Sequence, residues 1–579
     1  MNSSEFILGL SSFSHDSAAA LIGEQGFTVA IEEEKLERVR NTTGIPHAAI
    51  QYCLDRAGIS WRDLAGVAVA NRPLRAWARN AWLRVRQTPI APVSSGYYQS
   101  KALGELGREL NYKRKLHEMD QSATVTVETL EHHLCHAASA YYASDADSAL
   151  ILTLDEMGDG ISGMLALGEG PQIRVLRQAV FPNSVGWVFS QVTALLGFTP
   201  NRDEHKTQWL ALAGEPEFKD IFLKMLRRTP GGLPHLDRRF FNRGLAGQIA
   251  FSREFYRHLG ITPPKSTAAD FSPKEVTLDD RLRGNIAASL QQACGEVIVE
   301  AASAEGRKQK ARFLCVAGGV FQNPVLVAGL EAGAGFDHVF VQPASGNPGT
   351  ALGAAWLTHH QRLGRPRVSP LKHVYLGPNF SDAEIKKVLD NCKTRYRWHD
   401  SEDPRLDETL RLLRGGKIVA WFQGAAEFGP RALGNRSLVG WPWAPFVKEN
   451  LNEFVKRREG YRPFALAVPA EDADRFFEWT PACRFMASLG RVRPEARELV
   501  ADFLLPGDRV RLHVVERTAN PQFWRLLRRA GEGGPAPLLV NTSFNLFGEP
   551  LVVTPRDAVR SFFCSGIDAM FIGSFSLEK

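Results

Sequence analysis

Apolar and polar positions alternate in short blocks along the first part of the chain. An apolar run at residues 7–10 gives way to a polar turn at His15 and Asp16. A second run at 18–22, a glycine at Gly26 and a third run at 27–31 follow. The same order returns farther on: an apolar run at 149–154, a polar loop at 155–160, runs at 161–167 and 173–176 with a glycine turn between them. Both stretches predict strand, polar loop, strand, glycine turn, strand. Later apolar runs at 313–317 and 338–341 also predict strands, the second leading through Asn347-Pro348-Gly349 into a helix at 350–356. Strands at 417–422 and 537–541 alternate with helical patterns at 405–414 and 521–529, which predicts a second α/β unit. Residues 364–378, with several Gly and Pro, read as the connection between the two. The expected division is 1–365 and 379–579.

A chain of 579 residues is too long for one core, so several folding units are expected. Its composition, 44% hydrophobic and 23% charged, is that of a globular protein. No apolar run approaches the roughly 20 residues that cross a bilayer. No basic segment followed by an apolar one marks a secretory signal, so the expected place is the cytoplasm, without membrane attachment. Seven scattered cysteines without C-x-x-C spacing argue against a disulfide framework or a thiolate zinc site. The net charge of +7 is modest; such a balance can attract nucleic acid or membrane and equally suits an enzyme with phosphate ligands, and without a strong basic patch no nucleic-acid partner is expected. The Arg-rich stretch 75–115, interleaved with Trp77, Trp82, Tyr97 and Tyr98, reads as a solvated helical insertion.

Candidate chemistry gathers at three places. His132 and His136 stand at i and i+4, which on a helix puts both imidazoles on one face. With Asp155 they form a donor set that suits Fe(II), Mn(II) or Zn(II); the spacing fits a histidine-rich helix start without a ligand equally well. His15, in the loop after the first strand, is a candidate general base. The richest segment is Glu427-Phe428-Gly429-Pro430-Arg431-Ala432-Leu433-Gly434-Asn435-Arg436-Ser437, followed by Lys456-Arg457-Arg458-Glu459, Arg462, Arg511 and Asn541-Thr542-Ser543-Phe544-Asn545. Arginines set among Gly, Pro, Phe and Asn predict a polyphosphate or acyl-phosphate pocket.

These segments resemble the O-carbamoyltransferase family, which includes enzymes of the nodulation protein U, cephalosporin hydroxymethyl carbamoyltransferase and tobramycin carbamoyltransferase types. The resemblance spans nearly the whole chain. It rests most on 429–436 and 541–545, with support from 15–19, 32–38, His132-His133-x-x-His136-Ala137, Gly318-Gly319-Val320-x-x-Asn323 and Arg462-Pro463-Phe464. It implies an actin/Hsp70-like (Kae1-like) duplicated domain followed by a YrdC-like α/β domain. The latter would form carbamoyl adenylate from carbamoyl phosphate and ATP with Mg; the former, holding Fe(II) or another divalent metal, would pass the carbamoyl group to a hydroxyl of a small-molecule acceptor, a specialised metabolite or sugar. By the same resemblance His132, His136 and Asp155 are metal ligands and His15 is the base. Arg431, Arg436, Lys456, Arg462, Arg511, Asn541 and Ser543 hold the phosphates, and Gly319 and Asn323 belong to the nucleotide site. The family's Asp in the turn 343–349 is replaced by Asn347, a neutral ligand at best. Arg511 remains of a longer family segment, and Lys206 of another. A tRNA threonylcarbamoyladenosine-type enzyme and an actin-like nucleotide switch with degraded catalysis are the competing readings. A hydrogenase-maturation carbamoyltransferase would need an acylphosphatase module and paired C-x-x-C motifs.

Overall fold

The computed structural model of the chain describes residues 6–13, 15–23, 26–72, 107, 110–116, 118–119, 125–227, 232–243, 249–263, 278–367 and 370–579. Most of the Arg-rich stretch 75–115 lies outside them. The fold is mixed α/β, and its first two sheets repeat one plan. One sheet is built from β1 (Phe6–Ser11), β2 (Ala18–Ile22), β3 (Thr28–Glu32), β4 (Leu64–Ala70) and β5 (Val127–Leu130), in the order β3-β2-β1-β4-β5. Here β4 runs parallel to β1 and β5 parallel to β4. The other contains β6 (Ser148–Gly158), β7 (Ile161–Glu169) and β8 (Gln172–Val180). Two hairpins intervene in the chain, β9 (Leu226–Arg227) with β10 (His235–Leu236) and β11 (Phe241–Arg243) with β12 (Ile249–Phe251). Then β13 (Phe313–Ala317) and β14 (His338–Val341) complete the order β14-β13-β6-β7-β8, again with the last two strands parallel to the first. The third-second-first-fourth-fifth order thus occurs twice, and the repeated block pattern in the sequence is a repeated topology.

Contacts divide the chain into two compact units, residues 1–13, 21–27 and 58–370 in one, and 14–20, 28–57 and 371–579 in the other. In the first, the helix His132–Tyr141 packs against the helix Gly349–Leu357. A Cβ at Gly353 would lie 1.8 Å from the Cys135 carbonyl oxygen, so the backbones touch there and only glycine fits.

The second unit carries a ten-stranded sheet. Its strands are β15 (Arg397–Trp398), β16 (Val419–Phe422), β17 (Arg436–Gly440), β18 (Ala465–Pro469), β19 (Phe477–Glu478), β20 (Leu489–Val492), β21 (Arg509–Val515), β22 (Leu539–Ser543), β23 (Ala569–Ile572) and β24 (Phe575–Glu578). The order is β15-β24-β23-β16-β17-β22-β18-β21-β20-β19. Successive residues of the central strands feed different cores. Ala420 and Phe422, Leu466 and Val468, Met570 and Ile572 enter one; Val419 and Trp421, Ala467, Ala569 and Phe571 enter the other. Burial on both faces is why these strands read as continuous apolar runs rather than alternating ones.

The Gly/Pro segment before this sheet is not a loose tether. Val374 and Leu376 are buried, the Phe428 amide donates to the Val374 carbonyl (2.7 Å), and the Ala426 amide to Pro378 (2.9 Å). No helix of the described residues is long and apolar enough to cross a membrane. All seven cysteines are free thiols, five of them buried.

Candidate functional site

In the first unit the helix bearing the histidines starts at His132 because two acids cap it. The Glu131 carboxylate accepts from the amides of His133 (3.1 Å) and Leu134 (2.7 Å), and Asp159 accepts from that of His132 (2.9 Å). Such caps satisfy amides that the first helical turn leaves open. Asp155 lies where β6 leaves its register with β7, between Leu154 and Gly158, which turns its side chain to the helix. Its Oδ2 is 3.4 Å from His132 Nε2 and 3.1 Å from His136 Nε2. The three ligand atoms lie within 4.8 Å of one another.

Burial disfavours charge on this carboxyl, yet the hydrogen bonds from the two imidazoles hold Asp155 well below the usual carboxylate range. Burial alone would lower His132, but Asp155 overrides it and raises the ring; in His136 burial wins and lowers it. His133 points elsewhere, its Nδ1 2.7 Å from Thr153 Oγ1 and its Nε2 3.1 Å from the Ile161 carbonyl. It is a satisfied core histidine.

The donor set fits a divalent metal on its own geometry. Both Nε2 atoms face one carboxylate oxygen, at separations that ligands about 2.1 Å from a common ion would have. His132 Nδ1 is backed by Asn71 Oδ1 at 3.0 Å, the kind of support that orients a ligating imidazole. His136 Nδ1 is buried without a hydrogen-bond partner. Glycines give the site its room. A Cβ at Gly158 would lie 2.0 Å from His132 Cδ2, and one at Gly319 3.0 Å from Asp155 Oδ1. Gly318 takes φ +105°, where a Cβ would strike the Leu154 carbonyl oxygen at 2.0 Å, and its amide donates to Ser345 (2.7 Å). This joins the glycine turn to the turn that contains Asn347. Asn347 is buried, and its carbonyl accepts from Thr350 Oγ1 at 2.6 Å. The Asn323 amide is divided between capping the helix Pro324–Gly333, through the amides of Val325 and Leu326, and donating to Gln291 Oε1 (2.7 Å). Lys206 pairs with Asp203 at 3.4 Å.

In the second unit the segment 427–436 folds around one buried acid. Glu427 Oε1 accepts from the amides of Leu433 (2.7 Å), Asn435 (2.9 Å) and Arg436 (3.2 Å). Gly429 and Gly434 take φ +110° and +96°, which admits glycine readily and other residues seldom. Lys35 Nζ, itself buried, donates to the carbonyls of Glu427 (2.7 Å) and Gly429 (2.8 Å) and pairs with Glu32 (2.8 Å). Glu32 in turn accepts from the Gly429 amide at 2.7 Å. The acidic run 32–38 thus clasps the arginine loop.

Around that loop the cations crowd one another. Burial and then Arg462 push Arg431 down to about 10. Burial and Arg462 push Arg458 down to about 9, and Arg511 falls well below its usual value under burial, Arg431, Arg458 and Arg462. Lys456 falls likewise, from burial and then Arg458 and Arg462. Its Nζ reaches Asn545 Oδ1 (2.7 Å), the Ser543 hydroxyl (3.2 Å) and the Ser543 carbonyl. The Arg458 guanidinium donates to Asn452 Oδ1 (2.8 Å) and lies 4.5 Å over the Phe464 ring.

Residues 6–356 match the family described as carbamoyltransferase N-terminus, and residues 410–579 the one described as carbamoyltransferase C-terminus. The chain belongs to the carbamoyltransferase family. It is 31% identical to nodulation protein NolNO of Sinorhizobium fredii over 98% of this chain and 79% of that protein. It is 36% identical to the 3'-hydroxymethylcephem-O-carbamoyltransferase of Amycolatopsis lactamdurans over 41% of this chain and 43% of that one. Among solved structures, full-length HypF in its phosphate- and nucleotide-bound form aligns at 10% identity and a TM-score of 0.31, over 64% of this chain and 57% of that one.

Arg436 is wholly buried and its fork is taken up by backbone carbonyls: Nη1 donates to Gln423 (2.6 Å), Gly424 (3.0 Å) and Asn435 (3.1 Å), and Nη2 to Pro378 (3.1 Å). Its guanidinium carbon lies 3.7 Å from the centre of the Phe422 ring. Arg436 thus ties the facing ends of β16 and β17, in the middle of the sheet, to the segment at Pro378. Arg458 and Asn545 join the cation cluster. Both stood in the segments that drew attention, but nothing in their spacing singled them out. His15 keeps its Nδ1 2.8 Å from Asp16 Oδ2 with its side chain 44% exposed, so Asp16 favours the tautomer in which Nε2 is the accepting nitrogen.

Proposed function

We propose that this carbamoyltransferase activates carbamoyl phosphate with ATP and transfers the carbamoyl group to a hydroxyl of a small molecule, a specialised metabolite or sugar. Residues 379–579, as a YrdC-like domain, perform the activation: carbamoyl phosphate, ATP and one water give carbamoyl adenylate, pyrophosphate and phosphate. Residues 1–365, as a Kae1-like domain, perform the transfer. There the acceptor oxygen bonds to the carbamoyl carbon, the bond to AMP breaks, and the hydroxyl proton leaves to His15 Nε2. The observation that carries the reading is the set of mutually repelling cations Arg431, Lys456, Arg458, Arg462 and Arg511. Such a cluster suits the several negative charges of acyl phosphate and adenylate, and stabilises charge on a departing phosphate. Ser543 and Asn545 hold the lysine of this set.

His132, His136 and Asp155, with Asn347 as a neutral fourth donor, would hold Fe(II) or another divalent ion. When bound, that ion supplies Lewis-acid charge for phosphate or carbonyl oxygens. Gly319, whose bare Cα leaves Asp155 uncovered, belongs to the nucleotide-binding turn. The place of action is the cytoplasm, with neither nucleic acid nor membrane as a partner.

The test is to mix the purified chain with carbamoyl phosphate, ATP, Mg and Fe(II), without acceptor, and follow AMP, ADP and pyrophosphate. AMP and pyrophosphate that require carbamoyl phosphate, and vanish in Arg431→Ala, are the expected result. Nucleotide binding without carbamoyl-phosphate-dependent turnover would replace the proposal with a nucleotide switch.

A further inference from the structure

Asn541 was grouped with the phosphate-holding residues, but the chemistry of its amide points elsewhere. Two acceptors fix which way the amide faces. The Ala432 carbonyl lies 3.1 Å from Asn541 Nδ2, and His513 Nδ1 lies 3.0 Å from the same atom. His513 is buried and kept neutral, its pKa pushed down to about 3, so its Nδ1 can accept. The –NH2 end therefore faces Ala432 and His513; the reverse orientation would set two oxygens against each other. That leaves Asn541 Oδ1, in a side chain only 1% exposed, as a buried acceptor with no hydrogen-bond partner. An orphaned buried carbonyl costs free energy until a donor reaches it.

Strand register shows what lies beside it. Asn541 pairs with Ala465 across β22 and β18, and Ala465 pairs with Arg511 across β18 and β21. Directly paired residues share a face of the sheet. One face thus carries Asn541, then a methyl, then Arg511, with the two end backbones about 10 Å apart. The carbonyl that receives Asn541 Nδ2 belongs to Ala432, the residue next to Arg431. A cation that suits phosphate and an acceptor that needs N–H donors therefore stand on one face of the sheet, with the buried Ala465 between them.

Carbamoyl phosphate has this pattern, a dianionic phosphate at one end and an –NH2 at the other. We propose that Asn541 is the specificity residue for the carbamoyl amide: its Oδ1 accepts a hydrogen bond from the ligand –NH2, and so the site discriminates against acyl phosphates that carry a methyl there. This rests on the acyl-phosphate reading above and adds to it which residue reads the non-phosphate end. A phosphate oxygen, being an acceptor itself, gains nothing from Oδ1.

The test uses the full chain and two stable phosphonates that differ only at that end, phosphonoacetamide (–NH2) and acetonylphosphonate (–CH3), with inorganic phosphate as reference, each titrated calorimetrically. The unaltered protein should prefer the amide by at least about tenfold, the size expected for one buried donor–acceptor pair made or left open. Asn541→Leu should lose that preference while binding inorganic phosphate within about threefold of the original. Asn541→Gln keeps both an –NH2 for the Ala432 carbonyl and an amide acceptor and should retain the preference; it decides the matter if Asn541→Leu loses phosphate binding altogether through a displaced Ala432. Equal binding of the two phosphonates by the unaltered protein, or a preference that survives in Asn541→Leu, would overturn the assignment while leaving the acyl-phosphate reading intact. Absence of any phosphate or phosphonate binding would remove both.

Discussion

The buried clasp between Glu32, Lys35 and the arginine loop makes a quantitative prediction. Lys35 and Glu32 are 2% and 4% exposed. The ammonium meets two carbonyls and one carboxylate, at 2.7, 2.8 and 2.8 Å. Lys35→Met removes all three contacts and keeps most of the side-chain volume. It leaves Glu32 in the interior with the Gly429 amide as its remaining donor in this clasp. Removing one partner of a buried pair costs about 3–5 kcal/mol. Part of this is relieved because Glu32, whose pKa burial already raises, takes up a proton. The double variant Glu32→Gln/Lys35→Met leaves a neutral amide that still accepts from Gly429. It should be destabilised by only about 1–2 kcal/mol, roughly 2–3 kcal/mol less than Lys35→Met alone, and the coupling is larger still by whatever Glu32→Gln costs. A chain of two units does not unfold in one step, so the readout is hydrogen exchange at the amides the clasp organises, those of Gly429, Leu433, Asn435 and Arg436. The single variant should lose about 100-fold or more in protection there, at about 1.4 kcal/mol per tenfold, and the double variant should regain most of it. Protection unchanged within about threefold in Lys35→Met, or a double variant no better than the sum of the singles, would refute the reasoning.

Three further outcomes are expected. Lys456 loses its proton well below the ordinary lysine range because burial and neighbouring cations disfavour its charge; a charged Lys456 attracts phosphate, so calorimetric phosphate affinity should fall as pH rises, well before 10.5, and Lys456→Met should remove that dependence. Asn71→Ala, which takes the support from His132 Nδ1, should weaken Fe(II) binding about 10–100-fold in a chelator competition, while phosphate affinity stays unchanged. Gly353→Ala places a methyl against the Cys135 carbonyl and should cost about 1–3 kcal/mol, read as a lower thermal midpoint together with weaker Fe(II) binding; an unchanged midpoint would show that the helix contact yields freely.

Much of the fold was legible because it repeats. Period and punctuation placed β1 to β3 and β6 to β8, and the same blocks in the same order gave the duplicated sheet. The grouping of residues 28–57 with 371–579 was not legible. It rests on contacts such as Lys35 with Gly429, 394 positions apart, and no periodicity carries information over that distance. The segment 364–378 does contain the point, between Pro370 and Leu371, where the units part; its glycines and prolines could not say that Val374 and Leu376 are buried. At the candidate metal centre His132 and His136 could be paired by helical spacing, but the spacing could not say that His133 faces Thr153. That depends on where Glu131 and Asp159 begin the helix.

Arg431 and Arg436 show where sequence reasoning stops and compensation decides. They stand five positions apart in one loop, both among Gly, Asn and apolar residues. Arg436 opens β17, and its two Nη atoms meet four carbonyls of its own unit, while its Nε is buried without a partner. Arg431 and Arg511 have other cations as the strongest charges acting on them, as does Lys456, and these lower their hold on protons instead of strengthening it. Glu459, at 3.8 Å from Arg462, opposes part of that repulsion. Buried like charges raise the free energy of the fold. On the proposed function, a ligand bearing several negative charges would relieve that repulsion, and part of its binding energy would come from doing so.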